Sequence, residues 1–257
     1  MKVFSAADGK LIHHIPAHAG PVYAVAFSPD GKLLASSGLD GLVKLWNAAD
    51  GKPVREFKGH AGLVDCIRFT PDGGTLVSCG QDATVRTWTV ADGKQVKEMK
   101  GHAGPVYAVA LSPDGKTAAS AGQDKTVRLW DLAAGAQARE LKGSEDAVLC
   151  VAFGPDGKLY SGGMDKTIRV WDVAAGKETA KLVGHPDHIY SISLTPQGTR
   201  LTSTGYAGNL FVWDLAGGKS IFHKKLSFGA YCGTPTPDGK AVVTGHENGN
   251  CNLTAIP

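Results

Sequence analysis

The sequence predicts an all-β protein assembled from copies of one four-stranded antiparallel unit, and three observations predict it. Five tryptophans stand at 46, 88, 130, 171 and 213, so the same residue returns every 41 or 42 positions. Between them, short runs rich in Val, Ile, Leu and aromatic residues alternate with turns built from Gly, Pro, Asp and Ser, which is the pattern of strands joined by hairpins. No segment carries a helical apolar period with caps at its ends. The 34 glycines in 257 residues are about twice ordinary usage, which suits a chain of many tight turns.

The first full copy shows how the unit is built. Strand a runs from Val22 to Phe27 and ends in Ser28-Pro29-Asp30-Gly31, where proline presets φ and glycine supplies a positive φ. Strand b covers Leu33 to Ser37, and Gly38-Leu39-Asp40-Gly41 turns the chain into strand c, Leu42 to Trp46. Ala49-Asp50-Gly51-Lys52 then leads into strand d, Pro53 to Phe57. Both faces of these strands carry apolar residues, as they must if each sheet packs between two others.

Gly-His pairs at Gly59-His60, Gly101-His102 and Gly184-His185, with Ala17-His18 and Gly143-Ser144 as variants, open successive copies. The copies close on Trp46-Asn47, Trp88-Thr89, Trp130-Asp131, Trp171-Asp172 and Trp213-Asp214. A sixth copy is worn: Pro237-Asp238-Gly239 is in register, but Leu226 stands for the histidine and Thr254 for the tryptophan. Recurring in register over essentially the whole chain, these motifs resemble the WD40-repeat family of β-propellers.

That resemblance implies one propeller domain over residues 1–257, with six four-stranded blades. Strands a, b and c occur six times, starting near Val22, Val64, Val106, Val148, Ile189 and Ala230, but the first strand d, Lys10 to Ile15, precedes the first strand a. The resemblance therefore implies a ring closed by the N-terminal strand d pairing with the last blade. Lys2-Val3-Phe4-Ser5 repeats the end of a strand c, compare Lys44-Leu45-Trp46-Asn47, and suggests a chain excised from a longer array.

His18, Ser36 and Asp40, His60, Ser78 and Asp82, and His102, Ser120 and Asp124 are the residue types of a hydrolase triad, but each set comes with a tryptophan and one enzyme rarely needs three nucleophiles. In the WD40 family the matching four residues form a hydrogen-bonded tetrad, a structural role in which serine satisfies a buried indole N–H. Blade four has Ser144 for the histidine, blade five Ala207 for the aspartate, and blade six only Thr244 and Asn248.

Composition narrows the function classes. A net charge of +3 without a block of like charge gives no nucleic-acid footprint. Five cysteines without a Cys-x-x-Cys read as small buried thiols in a reducing, cytoplasmic setting rather than a disulfide framework or zinc site. No stretch is apolar enough for a membrane span or signal peptide. His185 and His188 lack the helix that would pair them on a metal, and no phosphate loop occurs, so no cofactor or metal is expected.

If the repeated residues are bracing, function falls to the positions that vary between copies. The resemblance implies a partner-binding face made by the residues flanking the first apolar residue of strand a and by the residue before the b–c turn aspartate. In this sequence these include Tyr23, Leu39, Asp65, Tyr107, Met164, His188, Tyr190, Tyr206 and Tyr231, together with Gln81 and Glu247. Five of the six tyrosines fall there, Tyr160 being the exception, and tyrosine concentrates binding energy in interfaces. The expectation is a non-catalytic scaffold for a protein or peptide. The alternatives are an enzyme or small-ligand lectin using a central channel, and a purely structural or engineered propeller.

Overall fold

The computed structural model describes residues 1–257, and every element in it is a strand. The chain opens with a hairpin of β1 (Lys2–Phe4) and β2 (Leu11–His14). The first four-stranded meander is β3 (Val22–Phe27), β4 (Leu33–Gly38), β5 (Val43–Asn47) and β6 (Pro53–Phe57). The second is β7 (Val64–Phe69), β8 (Thr75–Gly80), β9 (Thr84–Thr89) and β10 (Gln95–Lys100). The third repeat supplies β11 (Val106–Leu111), β12 (Thr117–Gly122), β13 (Val127–Asp131) and β14 (Ala136–Leu141). The fourth meander is β15 (Val148–Phe153), β16 (Leu159–Gly163), β17 (Ile168–Asp172) and β18 (Lys177–Leu182). The fifth is β19 (Ile189–Leu194), β20 (Arg200–Gly205), β21 (Asn209–Asp214) and β22 (Lys219–Lys225). The last sheet has three strands, β23 (Ala230–Pro235), β24 (Ala241–His246) and β25 (Cys251–Ala255).

Two compact units result, residues 1–109 with 132–136 and residues 110–131 with 137–257. The division falls inside the third repeat. In the first unit, Val43, Leu45 and Phe57 of the first sheet pack on Val64, Ile67, Phe69 and Trp88 of the second. In the second unit the same junction recurs twice. Ile168, Val170 and Leu182 meet Ile189, Ile192 and Trp213, and Leu210, Val212 and Leu226 meet Ala230, Val242 and Ile256.

The expected closing strand is not used in that way. Leu11–His14 pairs with Lys2–Phe4, the stretch that repeats the end of a strand c, and the two form their own hairpin. Short range wins: the turn at residues 5–10 brings β1 and β2 together, and the bonds Met1 N to Ile15 O and Ile15 N to Met1 O, at 2.8 and 2.9 Å, extend the pair. Strand β25 therefore pairs with β24 alone.

Burial follows from this. The hairpin places Ile15 and Ala17 over Leu34 and Trp46, but two strands do not cover a whole sheet face. Val25 of β3 is 51% exposed, whereas its equivalents Ile67, Val109, Val151 and Ile192 are 0–7% exposed. A fully buried aliphatic side chain contributes about 1.5–3 kcal/mol, which Val25 and Phe27 largely forgo. On the last sheet Val243 and Leu253 stand open in the same way, and so do Cys232 and Cys251. The expectation of uniformly buried thiols thus holds for Cys66, Cys79 and Cys150 and fails for these two, because they lie on the uncovered last sheet.

Candidate functional site

The tetrads form where the sequence placed them. In the first sheet the Trp46 indole N–H donates to Ser36 Oγ at 2.9 Å, Ser36 Oγ lies 2.8 Å from His18 Nε2, and His18 Nδ1 lies 2.8 Å from Asp40. In the second, Trp88, Ser78, His60 and Asp82 repeat this at 2.8, 2.7 and 2.9 Å. Since a carboxylate only accepts, the proton order is fixed: His Nδ1–H donates to Asp, and serine donates to Nε2. Burial opposes the charge on Asp82, but the bonds from His60, Thr84 and the Ala61 N–H outweigh it and hold the carboxyl well below its ordinary range. The order resembles a hydrolytic triad. Yet Ser36 and Ser78 are 0% exposed, and each is committed to an indole N–H.

Two of the worn copies are repaired from unexpected directions. Blade five lacks the turn aspartate at 207, and Asp187 of the d–a loop stands beside the ring instead: its backbone carbonyl accepts from His185 Nδ1 at 3.0 Å, its carboxylate lies 2.8 Å from the same nitrogen and accepts from the Ala207 N–H and the Asn209 side chain, while His185 Nε2 is left without a partner. Blade six lacks a loop histidine, and His246 at the end of β24 supplies the ring, with Nε2 2.8 Å from Thr244 Oγ1. His246 pairs with Ala230 at the position where Gly38 pairs with Val22 in the first sheet. A Cβ at Gly38 would lie 2.8 Å from the His18 ring. Loop histidine and strand-end side chain compete for one space, filled by His18 in the first blade and by His246 in the sixth.

A further bracing series escaped the sequence reading. The strand-c cations Arg86 and Arg169 sit between the turn aspartate and an acidic or amide residue of strand d: Arg86 meets Asp82 at 3.3 Å and Glu98 at 3.5 Å, and Arg169 meets Asp165 at 2.6 Å and Glu178 at 3.1 Å. The signal was present as a cation two residues before each of the first four tryptophans. In blade five that position is Phe211, and it stacks on His223 with ring centroids 4.2 Å apart.

In each sheet the varying positions lie at the edge whose loops join d to a and b to c. There the residue preceding the turn aspartate, or its counterpart, donates its N–H to the carbonyl of the residue preceding strand a: Leu39 to Pro21, Gln81 to Leu63, Met164 to Ala147, Tyr206 to His188 and Glu247 to Gly229, at 2.9–3.2 Å. A Cβ at Gly80 or Gly163 would overlap the Leu63 or Ala147 carbonyl, so in these two blades the approach requires glycine at the end of strand b, whereas His246 holds that place in blade six. Directly after it, strand a bulges. The register skips Tyr23, Asp65, Leu149, Tyr190 and Tyr231, each the second residue of its strand. A bulge leaves one residue unpaired and re-aims its side chain. The sequence-selected positions are thus the bulge residue and the turn residue beside it.

In the first unit, Tyr23 and Leu39 are exposed, and the Gln81 amide donates to Asp65 at 3.2 Å. Burial raises the Asp65 carboxyl to about 7 against the opposing Gln81 bond. Burial, with the Asp65 charge added, also raises the Tyr107 phenol. In the second unit three tyrosines gather. Tyr190 lies 5.4 Å from Tyr231, edge to face at 79°, and 6.1 Å from Tyr206. Tyr206 is 56% and Tyr231 42% exposed. The Tyr231 hydroxyl donates to Glu247 at 3.5 Å. His188 and Met164 are half-buried, and His188 joins the group through its carbonyl. Tyr160, the tyrosine outside the set, is buried in the core.

The profile of the family described as WD domain, G-beta repeat matches residues 9–47, 51–89, 93–131, 135–172 and 176–214. The five matches cover most of the chain and stop before the worn sixth copy. No curated protein matches the chain.

Proposed function

Because the chain belongs to the WD40-repeat family, we propose that it is a non-catalytic scaffold that binds a protein or peptide through the loop edge carrying the bulge residues. Propellers of this family commonly serve as interaction scaffolds. The observation that carries the reading here is the gathering of a half-buried Tyr190 with the exposed Tyr206 and Tyr231 into one aromatic group. Large, stiff, amphipathic rings bind at low entropic cost, and here bulges carry Tyr190 and Tyr231 and the b–c turn carries Tyr206. A hydrolase built on the tetrads is the poorer account, because its nucleophile would be a buried serine already holding a tryptophan N–H. Free, largely buried thiols fit a reducing, cytoplasmic setting, which belongs to the same reading.

The test is quantitative affinity capture comparing the natural protein with Tyr107→Ala plus Tyr190→Ala, and with Lys116→Ala on an exposed a–b turn as control. A partner retained by the control and lost by the double variant, with circular dichroism unchanged, supports the loop edge. Equal capture by all three proteins refutes it.

A further inference from the structure

The tyrosine group of the second unit brings three rings together beside one carboxylate, Glu247, that has acceptor capacity to spare. Resting on the reading above that this edge binds a partner, we propose that Tyr190, Tyr206, Tyr231 and Glu247 form a subsite for an arginine side chain of that partner.

Ring geometry sets the charge the site prefers. Tyr190 and Tyr231 meet edge to face at 5.4 Å and 79°, so the positive rim of one ring is used against the face of the other. Tyr206 and Tyr231 are well exposed, and the π-face of a tyrosine attracts a cation by about 0.5–1 kcal/mol in water and by about 2 or more when water is excluded. An anion is disfavoured twice, by those faces and by Glu247.

Glu247 supplies the directional half of the site. Its Oε2 accepts one long bond, 3.5 Å from the Tyr231 hydroxyl, whereas a carboxylate has about four acceptor positions. The other charged groups nearby are committed. Asp187 is engaged by His185, the Ala207 N–H and Asn209, and the Lys225 ammonium donates to the Ala207 carbonyl. Gly229 keeps the carboxylate close: a Cβ there would lie 2.6 Å from the Tyr206 carbonyl and 3.4 Å from Glu247 Oε2. Partial burial, with the Glu247 charge added, raises the Tyr231 phenol above its ordinary value, so Tyr231 remains a neutral donor.

Arginine fits better than lysine for a geometric reason. A planar guanidinium can lie on a tyrosine face while its in-plane N–H groups pair with a carboxylate, and it sheds water more readily than an ammonium. An ammonium uses the charge but not the plane.

The experiment is an NMR titration of the full chain with N-acetyl-arginine amide, and with the lysine and citrulline counterparts. The arginine probe is expected to move the ring resonances of Tyr190, Tyr206 and Tyr231. Citrulline, of the same shape without the charge, should move them little, and lysine should bind several-fold more weakly. Glu247→Gln, an exposed and nearly isosteric change, should weaken arginine binding about tenfold, the loss of one bond to a charged group. Shifts equal for arginine and citrulline, equal for arginine and lysine, or unaltered by Glu247→Gln overturn the subsite. Partner capture that still depends on Tyr107 and Tyr190 while these probes fail would leave the scaffold reading standing and sink only the arginine assignment.

Discussion

Removing one serine hydroxyl should cost the second blade about twice what it costs the fifth, because the two hydroxyls carry different numbers of bonds. Ser78 Oγ holds the Trp88 indole N–H at 2.8 Å and His60 Nε2 at 2.7 Å. Ser203 Oγ accepts from Trp213 at 2.9 Å, and in that blade His185 Nε2 is buried without a partner in the native fold. Both serines are 0% exposed, so water does not replace what is removed. An orphaned buried polar group costs about 1–3 kcal/mol. Ser78→Ala orphans two and should cost about 2–6 kcal/mol, while Ser203→Ala orphans one and should cost about 1–3 kcal/mol. Urea unfolding followed by tryptophan fluorescence, with hydrogen exchange of the β8–β9 and β20–β21 amides, reads both values. If Ser203→Ala proves as costly as Ser78→Ala, the tetrad is not a sum of satisfied groups and the account of its tolerance to decay fails.

Two further outcomes follow from the same structure. Under native conditions a thiol reagent should modify Cys232 and Cys251, which are exposed, and leave Cys66, Cys79 and Cys150 until the protein unfolds; mass spectrometry showing early labelling of Cys150 would contradict the packing of the β15–β16 face. Stability should depend on pH with opposite signs at two carboxyls. Asp82 is depressed by its bonds despite burial, so its contribution is present above the ordinary carboxylate value of about 4 and is lost as pH falls through its folded value. Asp65 is raised to about 7 by burial, so the fold favours its protonated form, and that contribution is fully present below about 4 and lost as pH rises through about 7. Asp65→Asn should therefore flatten the neutral limb of the urea-midpoint profile and Asp82→Asn the acid limb; an unchanged neutral slope in Asp65→Asn would show that this carboxyl is solvated.

What was legible in the sequence was whatever the repeat states more than once. The starts of β3, β7, β11, β15, β19 and β23 fall on the six residues that alignment of the copies picked out, because a turn such as Ser28-Pro29-Asp30-Gly31 fixes the strand before it. Ser28 Oγ bonds Asp30 at 2.6 Å and also receives the Leu33 N–H at 2.9 Å. The loop-edge tyrosines were legible for the same reason, being referred to a fixed place in each copy. Illegible were the places where one residue does another's work from a different position. Nothing in a column-by-column comparison says that Asp187 can stand in for a missing aspartate at 207, or His246 for a missing loop histidine, since each sits in a different column from the group it replaces. The pairing of β2 with β1 was missed likewise, because its partner was chosen by family likeness rather than by the nearer strand across a short turn.

These substitutions explain why the aromatic subsite stands where it does. In the first two blades turn aspartate, loop histidine and strand-c cation are held together, as in Asp82, His60 and Arg86. Blade five has replaced the cation by Phe211 and moved the carboxylate to Asp187, which releases position 207 and the loop around it from the motif. Blade six has moved its imidazole to β24 and left the turn to Glu247 and Asn248. The loop edge where bracing has been rerouted is where Tyr190, Tyr206, Tyr231 and Glu247 meet. Decay of the motif in the last two blades is, on this account, what left that edge to the three tyrosines and the carboxylate beside them.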